Sequence, residues 1–219
     1  MSGFKSDALN IVFGDGVINI IIAHLIKCST QMKKDCLDQS NPLHNHEDKI
    51  TNRLTAEYLN AQPSNFRYIT QTLEHYEKVT AQYVGRTDIM VISNDYFRDT
   101  QAYHIIECKR IDGSTSLNRK YVSEGVARFI STTQKQKYSS YYSRNIMFGY
   151  VIKTIDIPSN TEKIVDMQSR ILEDTITGDF ALLHKDDSHY YVYSSKYQPD
   201  ASLIELVHLF YDFSDVVSM

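Results

Sequence analysis

Residues 103–112 read YHIIECKRID, and the fold turns on how that run is taken. Tyr103, Ile105 and Ile106 are aromatic or β-branched, the residue types that suit a pleated, buried strand. Glu107, Lys109 and Arg110 then follow with no turn residue between. Side chains of a strand alternate between faces, so Glu107 and Lys109 share one face about 6.5–7 Å apart, while Cys108 turns to the other. An unpaired charge at the end of an apolar strand costs several kcal/mol, so these groups need partners or a ligand. A metal ion on Glu107 is one such partner.

A second acid stands at the head of another apolar run. In GRTDIMVIS (residues 85–93), Asp88 opens a strand that the polar loop SNDYFRDTQ joins to the first. If the two strands pair antiparallel, the start of one meets the end of the other, and Asp88 and Glu107 can share a cation. Two carboxylates and a backbone carbonyl make an oxygen-rich, partly open site, which suits Mg²⁺ with several waters retained. A lysine beside it can orient or deprotonate an attacking water and offset charge developing on phosphorus.

Asp88, then eighteen residues, then Glu107-Cys108-Lys109 resembles the PD-(D/E)XK nuclease superfamily. The resemblance implies an α/β, restriction-endonuclease-like core, a central mixed sheet of about four to five strands flanked by helices. It makes Asp88 and Glu107 metal ligands, completes the site with the Cys108 backbone carbonyl, and sets Lys109 on the water. It also calls for an acid on a preceding helix. Glu47, three residues before Ile50 on the inward face of a helix over residues 46–60, fits that place, with Glu57 and Glu74 as alternatives. Thr87 stands where the motif's name expects proline, a departure many members share.

The match covers about residues 44–155, leaving a helical N-terminal extension (1–43) and an acidic C-terminal extension (156–219) of one domain. By the same resemblance the chain is a Mg²⁺-dependent deoxyribonuclease with Mn²⁺ as substitute, a homodimer, and an endonuclease of restriction or phage defence. Two alternatives stay open. One is a catalytically silent module of the same fold that binds nucleic acid or a protein; the other is an RNA nuclease or toxin.

Charge is unevenly spread. The chain has 219 residues, 42% hydrophobic content and a net charge of −4, enough for a sizeable core and against a surface that attracts polyanions everywhere. Yet residues 109–153 carry 9 Lys+Arg against 2 Asp+Glu, and residues 154–219 carry 4 against 12. Arg110, Arg119, Lys120, Arg128, Lys135 and Lys137 are therefore the expected phosphate contacts, with Tyr121, Tyr138, Tyr141 and Tyr142 interleaved to stack on bases. Val122, Val126, Phe129 and Ile130 mark the buried stripe of a helix over 119–141, on which Glu124 and Arg128 stand four apart as an ion pair would. The resemblance adds Glu124 and Gln134 as secondary active-site candidates.

Elsewhere the signals are plainer. Three cysteines without a CxxC pair fit a reducing compartment. VINIIIAHLI (residues 17–26) is too short for a bilayer and reads as a buried helix face; with no basic leader before it, a cytoplasmic protein is expected. A loop is expected over 29–46, strands over 68–73, 78–83, 87–92, 103–110 and 146–155, a helix over 159–172, and a strand over 189–195 before the apolar segment 201–213. The string HNHE at 44–47 carries no weight as an HNH signature, whose residues are dispersed over a different fold.

Overall fold

A computed structural model describes residues 16–93, 99–130, 142–172, 180–199 and 203–218. Helix α1 (Val17–Asp38) and the short β1 (Leu43–His44) precede α2 (Glu47–Arg53), which runs on into a π-helical segment, Leu54–Leu59. Next come β2 (Arg67–Thr70), β3 (Leu73–Glu77), β4 (Gln82–Arg86), β5 (Ile89–Ile92) and β6 (Tyr103–Ile111). Helix α3 (Thr115–Lys120), a π-helical segment Tyr121–Val126 and α4 (Ala127–Ile130) form one continuous helical stretch before β7 (Arg144–Val151). Helix α5 (Ile157–Ile171), β8 (Ala181–Asp186), β9 (Tyr190–Tyr197), β10 (Ile204–Asp212) and β11 (Val217–Ser218) complete the order.

The main sheet is mixed and seven-stranded, in the order β2-β5-β6-β7-β10-β9-β8. Strands β6, β7 and β10 run parallel at its centre, and antiparallel strands flank them on both sides. The four to five strands expected are exceeded because the C-terminal stretch, read as an extension, supplies β8, β9 and β10, and β10 lies directly against β7. Outside this sheet, β3 and β4 form a separate hairpin, and β1 pairs parallel with β11.

Helices cover both faces, and strand alternation sorts the core accordingly. Ile106, Cys108, Ile146 and Phe148 pack under α1 and α2, while Ile105, Ile111, Met147 and Val151 pack under the α3–α4 stretch and α5. Both faces of β6 and β7 are largely buried, so β7 reads as a largely apolar run, while β6 keeps that character only as far as Ile106, before Glu107, Lys109 and Arg110. Among the described residues no helix is long and apolar enough to cross a membrane.

Two sequence expectations fail for identifiable reasons. Residues 29–38 are helical, not loop: Cys28, Ser29, Met32 and Cys36 are buried on the inner face of α1, and small or sulfur-bearing residues made that stripe inconspicuous. The strand expected over 78–83 begins only at Gln82, because residues 78–81 make the turn of the β3–β4 hairpin, with Ala81 at a φ of 53°.

Gly149, in the middle of β7, admits the ring of Phe210 from β10. A Cβ placed there would meet Phe210 Cδ1 at 2.5 Å and Cε1 at 2.9 Å. A buried ring cannot yield as a flexible chain end does, so Gly149→Ala is expected to lower unfolding free energy by about 1–3 kcal/mol, read by urea denaturation. An unchanged midpoint would show that the ring can move aside. Nearby, buried His208 contacts the Tyr121 hydroxyl at 2.8 Å and Ser195 Oγ at 2.6 Å. Burial lowers its pKa to about 3, so it stays neutral.

Candidate active site

The site forms where the sheet runs out of strand. β5 has four residues and β6 nine, so their ladder ends at the pair Ile89–Ile106 and the rest of that edge of β6 has no strand beside it. Buried backbone N–H groups there still require acceptors. Asp88, one residue before β5, accepts the Cys108 N–H on Oδ2 at 2.7 Å, and Glu47, the first residue of α2, accepts the Arg110 N–H on Oε2 at 3.2 Å. Two carboxylates thus take over the bonding that a longer β5 would have supplied.

Lys109 draws these acids together with Glu107. Its ammonium donates to Glu107 Oε1 at 2.8 Å, to Glu47 Oε1 at 3.1 Å and to the Cys108 carbonyl at 2.7 Å, and lies 3.6 Å from Asp88 Oδ2. Glu107 also accepts from Arg128 Nη1 at 2.7 Å. Glu107 is fully buried, and Lys109 is only 6% exposed. Burial, reinforced by the Asp88 charge, pushes the Glu107 carboxyl up to about 7 against the opposing pull of Lys109 and Arg128. For Lys109 burial acts the other way, but Glu107, Asp88 and Glu47 together outweigh it, and the ammonium is held charged well above the usual lysine range.

The opposite face is chemically quiet. Cys108 Sγ accepts from the Tyr150 hydroxyl at 3.1 Å, which in turn contacts Thr51 Oγ1 at 3.0 Å. Burial holds that thiol well above its ordinary pKa, so it is a packed small residue and no nucleophile.

The sequence-derived candidates divide clearly. Asp88, Glu107, Lys109, the Cys108 carbonyl and Glu47 are brought together. Of the alternatives to Glu47, Glu57 ion-pairs with Arg53 and Glu74 accepts from Tyr103 at the far end of β6. Arg110 reaches Asn45, through its carbonyl at 2.9 Å and side-chain oxygen at 2.7 Å, so this expected phosphate contact ties α2's entry to β6. Arg119 and Lys120 are exposed. Glu124 is exposed on the π-helical segment, whose wider turn departs from the 3.6-residue spacing behind its expected pairing with Arg128. Tyr121 is fully buried against His208 and cannot stack on a base, and Tyr142 stacks on His104 at 4.4 Å. Gln134, Lys135, Lys137, Tyr138 and Tyr141 lie outside the described residues.

Two contributors escaped sequence reasoning. Arg128 reads as a surface cation because nothing local reveals Glu107 beneath it. Gly125 lets the π-helical segment lie against the sheet, since a Cβ there would meet Met147 Cε at 2.5 Å and the Lys109 stem at 3.4 Å; a glycine inside an apolar stripe was its only signal.

Among the described residues, no group of three or more His, Cys, Asp or Glu side chains is already drawn together as a metal nest. The acids surround an ammonium instead. Their chemistry nonetheless fits a hard divalent cation: four oxygens, three from carboxylates and one from the backbone, already face one positive charge. No protein-family model, curated protein or solved structure matches the chain, so the functional reading rests on this geometry and the sequence motif.

Proposed function

We propose that the chain is a metal-dependent nuclease of the PD-(D/E)XK kind, acting on DNA. The observation that carries this reading is the convergence of Glu47, Asp88, Glu107 and the Cys108 carbonyl on the Lys109 ammonium. In this reading β5, β6 and β7, with α2 before them and the α3–α4 stretch between β6 and β7, are the restriction-endonuclease-like core, and the β8–β10 half of the sheet is this chain's own elaboration.

Glu47, Asp88, Glu107 and the Cys108 carbonyl would hold Mg²⁺, which when bound polarises a phosphate and acidifies water. With no metal bound, its carboxylate partners hold Lys109 charged; beside a bound cation its ammonium would offset charge developing on the phosphate or orient the attacking water. A scissile phosphate admitted beside it would exchange one anion for another around the ammonium and gain a charge-assisted hydrogen bond. Arg128, with its side chain 29% exposed, supplies a second cation at the same carboxylate. Arg119 and Lys120 lie exposed on the helix that follows.

Plasmid, linear duplex and single-stranded DNA, and RNA, incubated with Mg²⁺ or Mn²⁺, test this. Cleavage of DNA by the native chain, abolished by EDTA, is expected, together with binding that weakens steeply as salt rises. Cleavage of RNA alone would move the substrate to RNA, and binding without any cleavage would leave only a nucleic-acid-binding module of this fold.

A further inference from the structure

Two cations meet one oxygen of Glu107. Lys109 Nζ donates to Oε1 at 2.8 Å, and Arg128 Nη1 donates to the same atom at 2.7 Å. The two are held differently. Lys109 also donates to Glu47 and to the Cys108 carbonyl, and its side chain is 7% exposed. Its stem lies close against the π-helical segment, where a Cβ on Gly125 would meet it at 3.4 Å. Arg128 follows three residues later on α4 and reaches Glu107 with its side chain 29% exposed. Glu107 itself has no exposed surface. Arg128 is therefore the more exposed of the two cations on a carboxylate that the proposed metal site requires.

A divalent cation at Glu47, Asp88, Glu107 and the Cys108 carbonyl would add its charge to a carboxylate that already serves two cations. Like charges so close in a buried place repel, and salt screens that repulsion less than it would at the surface. The more exposed partner gives way at the lower cost, because a long side chain can turn its charged head into water while its stem stays packed. For Arg128 that means leaving Glu107. A guanidinium so released keeps its planar fork of N–H donors, which fits a phosphate on two oxygens at once. Phosphate is the anion that the proposed reaction brings to this place, so the guanidinium exchanges one anion for another.

We propose that Arg128 is a metal-released arm: in the metal-free chain it closes over Glu107, and when a divalent cation takes that carboxylate its guanidinium turns out to hold a nucleic-acid phosphate. This rests on the nuclease reading for the cation site and adds the regulation of that site. Metal and polyanion then bind cooperatively, and linkage requires that each tighten the other by the same factor. Arg128 opposes the metal when DNA is absent and favours it when DNA is present. Removing it lifts the opposition and abolishes the cooperation, a pair of changes that a merely structural arginine would not produce.

Ca²⁺, a hard ion that takes carboxylate and carbonyl oxygens, serves as the probe. Its affinity for the DNA-free chain is read by calorimetry. Duplex affinity is read by fluorescence anisotropy in EDTA and in Ca²⁺, recorded before any cutting shows on a gel. The native chain is expected to bind duplex about 10-fold more tightly with Ca²⁺, within the usual range of coupling between sites. Arg128→Gln is expected to bind Ca²⁺ about 10-fold more tightly than the native chain and to lose most of the gain with DNA. Arg128→Lys keeps the competing charge without the fork, so it should retain the native Ca²⁺ affinity with a smaller gain. Should Arg128→Gln fail to fold, Arg128→Lys carries the test, and a gain equal to the native one then overturns the inference. Equal Ca²⁺ affinity in the native and glutamine chains, or a gain with DNA that survives that substitution, overturns the release even if DNA is cut. Coupling that depends on Arg128, with no cleavage under Mg²⁺, leaves the arm standing and removes the nuclease. A native chain that binds neither Ca²⁺ nor Mg²⁺ overturns both.

Discussion

Lys109→Ala is expected to abolish DNA cleavage, to destabilise the fold by about 3–5 kcal/mol at neutral pH, and to regain much of that stability on acidification, the magnitude being that of removing one partner from a buried ion cluster. Four oxygens face its ammonium within 3.6 Å. Without it, Glu107, Asp88 and Glu47 share a pocket with Arg128 as the nearest remaining cation at Glu107. Glu107 already has its carboxyl raised from 4.5 to about 7 by burial and by Asp88, with Lys109 opposing the rise. Removing that opposition raises it further. A carboxyl whose folded pKa exceeds its unfolded one contributes stability fully present below the unfolded value and lost as pH rises through the folded value. The variant should therefore melt several degrees higher at pH 5 than at pH 7.5. A divalent cation replaces the missing charge, so Mg²⁺ or Mn²⁺ at pH 7.5 should raise its midpoint more than that of the native chain, where the ammonium competes. Cleavage should stay at least about 100-fold down throughout, the scale of losing one preorganised charge donor. A variant as stable as the native chain at pH 7.5 and indifferent to metal would mean that these acids form no cation site.

Much of the cluster is written in local pattern. A period of two puts Glu107 and Lys109 on one side and Cys108 on the other, and an acid heading one apolar strand meets the end of its antiparallel neighbour; both follow from strand geometry alone. What pattern could not supply was length. The early end of β5 makes Asp88 and Glu47 hydrogen-bond acceptors for β6, and that depends on where a ladder stops rather than on residue type. Glu47 is the first choice from its place on the helix; what sets Glu74 aside is its position against Tyr103, which pattern does not reveal. Arg128 was hidden by the π-helical segment before it, since a 3.6-residue period assigned it to Glu124 on the helix surface instead of Glu107 below. The other half of the sheet was obscured by its edge: β8 is largely exposed, its leucines included, and shows no alternation, while β10 is buried on both faces and carries an apolar run without alternation. Short apolar runs fix burial without fixing which neighbour buries them.

Asp88→Asn and Asp88→Ala should come apart in stability while sharing a loss of cleavage of about 10³-fold or more. Asp88 has two tasks that the substitutions separate. Its Oδ2 accepts the Cys108 N–H at 2.7 Å, closing the open edge of β6, and its charge faces Glu107 and Lys109. Asparagine keeps a carbonyl oxygen for the N–H and removes the charge. It also removes the like-charge repulsion that helps raise the Glu107 carboxyl, so the pH window over which stability depends on Glu107 should move below about 7. Little net stability should be lost. Alanine leaves a buried N–H without its acceptor, at a cost of about 1–3 kcal/mol beyond the asparagine variant. Urea denaturation of both variants at pH 7.5, with plasmid cleavage under Mg²⁺ in parallel, reads the two tasks separately. If Asp88→Asn cut DNA at the native rate, the charge at this position would be idle and Asp88 would serve only as the missing rung of β5. If both variants were equally destabilised, the hydrogen bond to Cys108 would not be what holds the edge. The outcome argued for is a folded asparagine variant that no longer cuts, because closing the strand needs only an oxygen whereas holding a divalent cation needs the carboxylate.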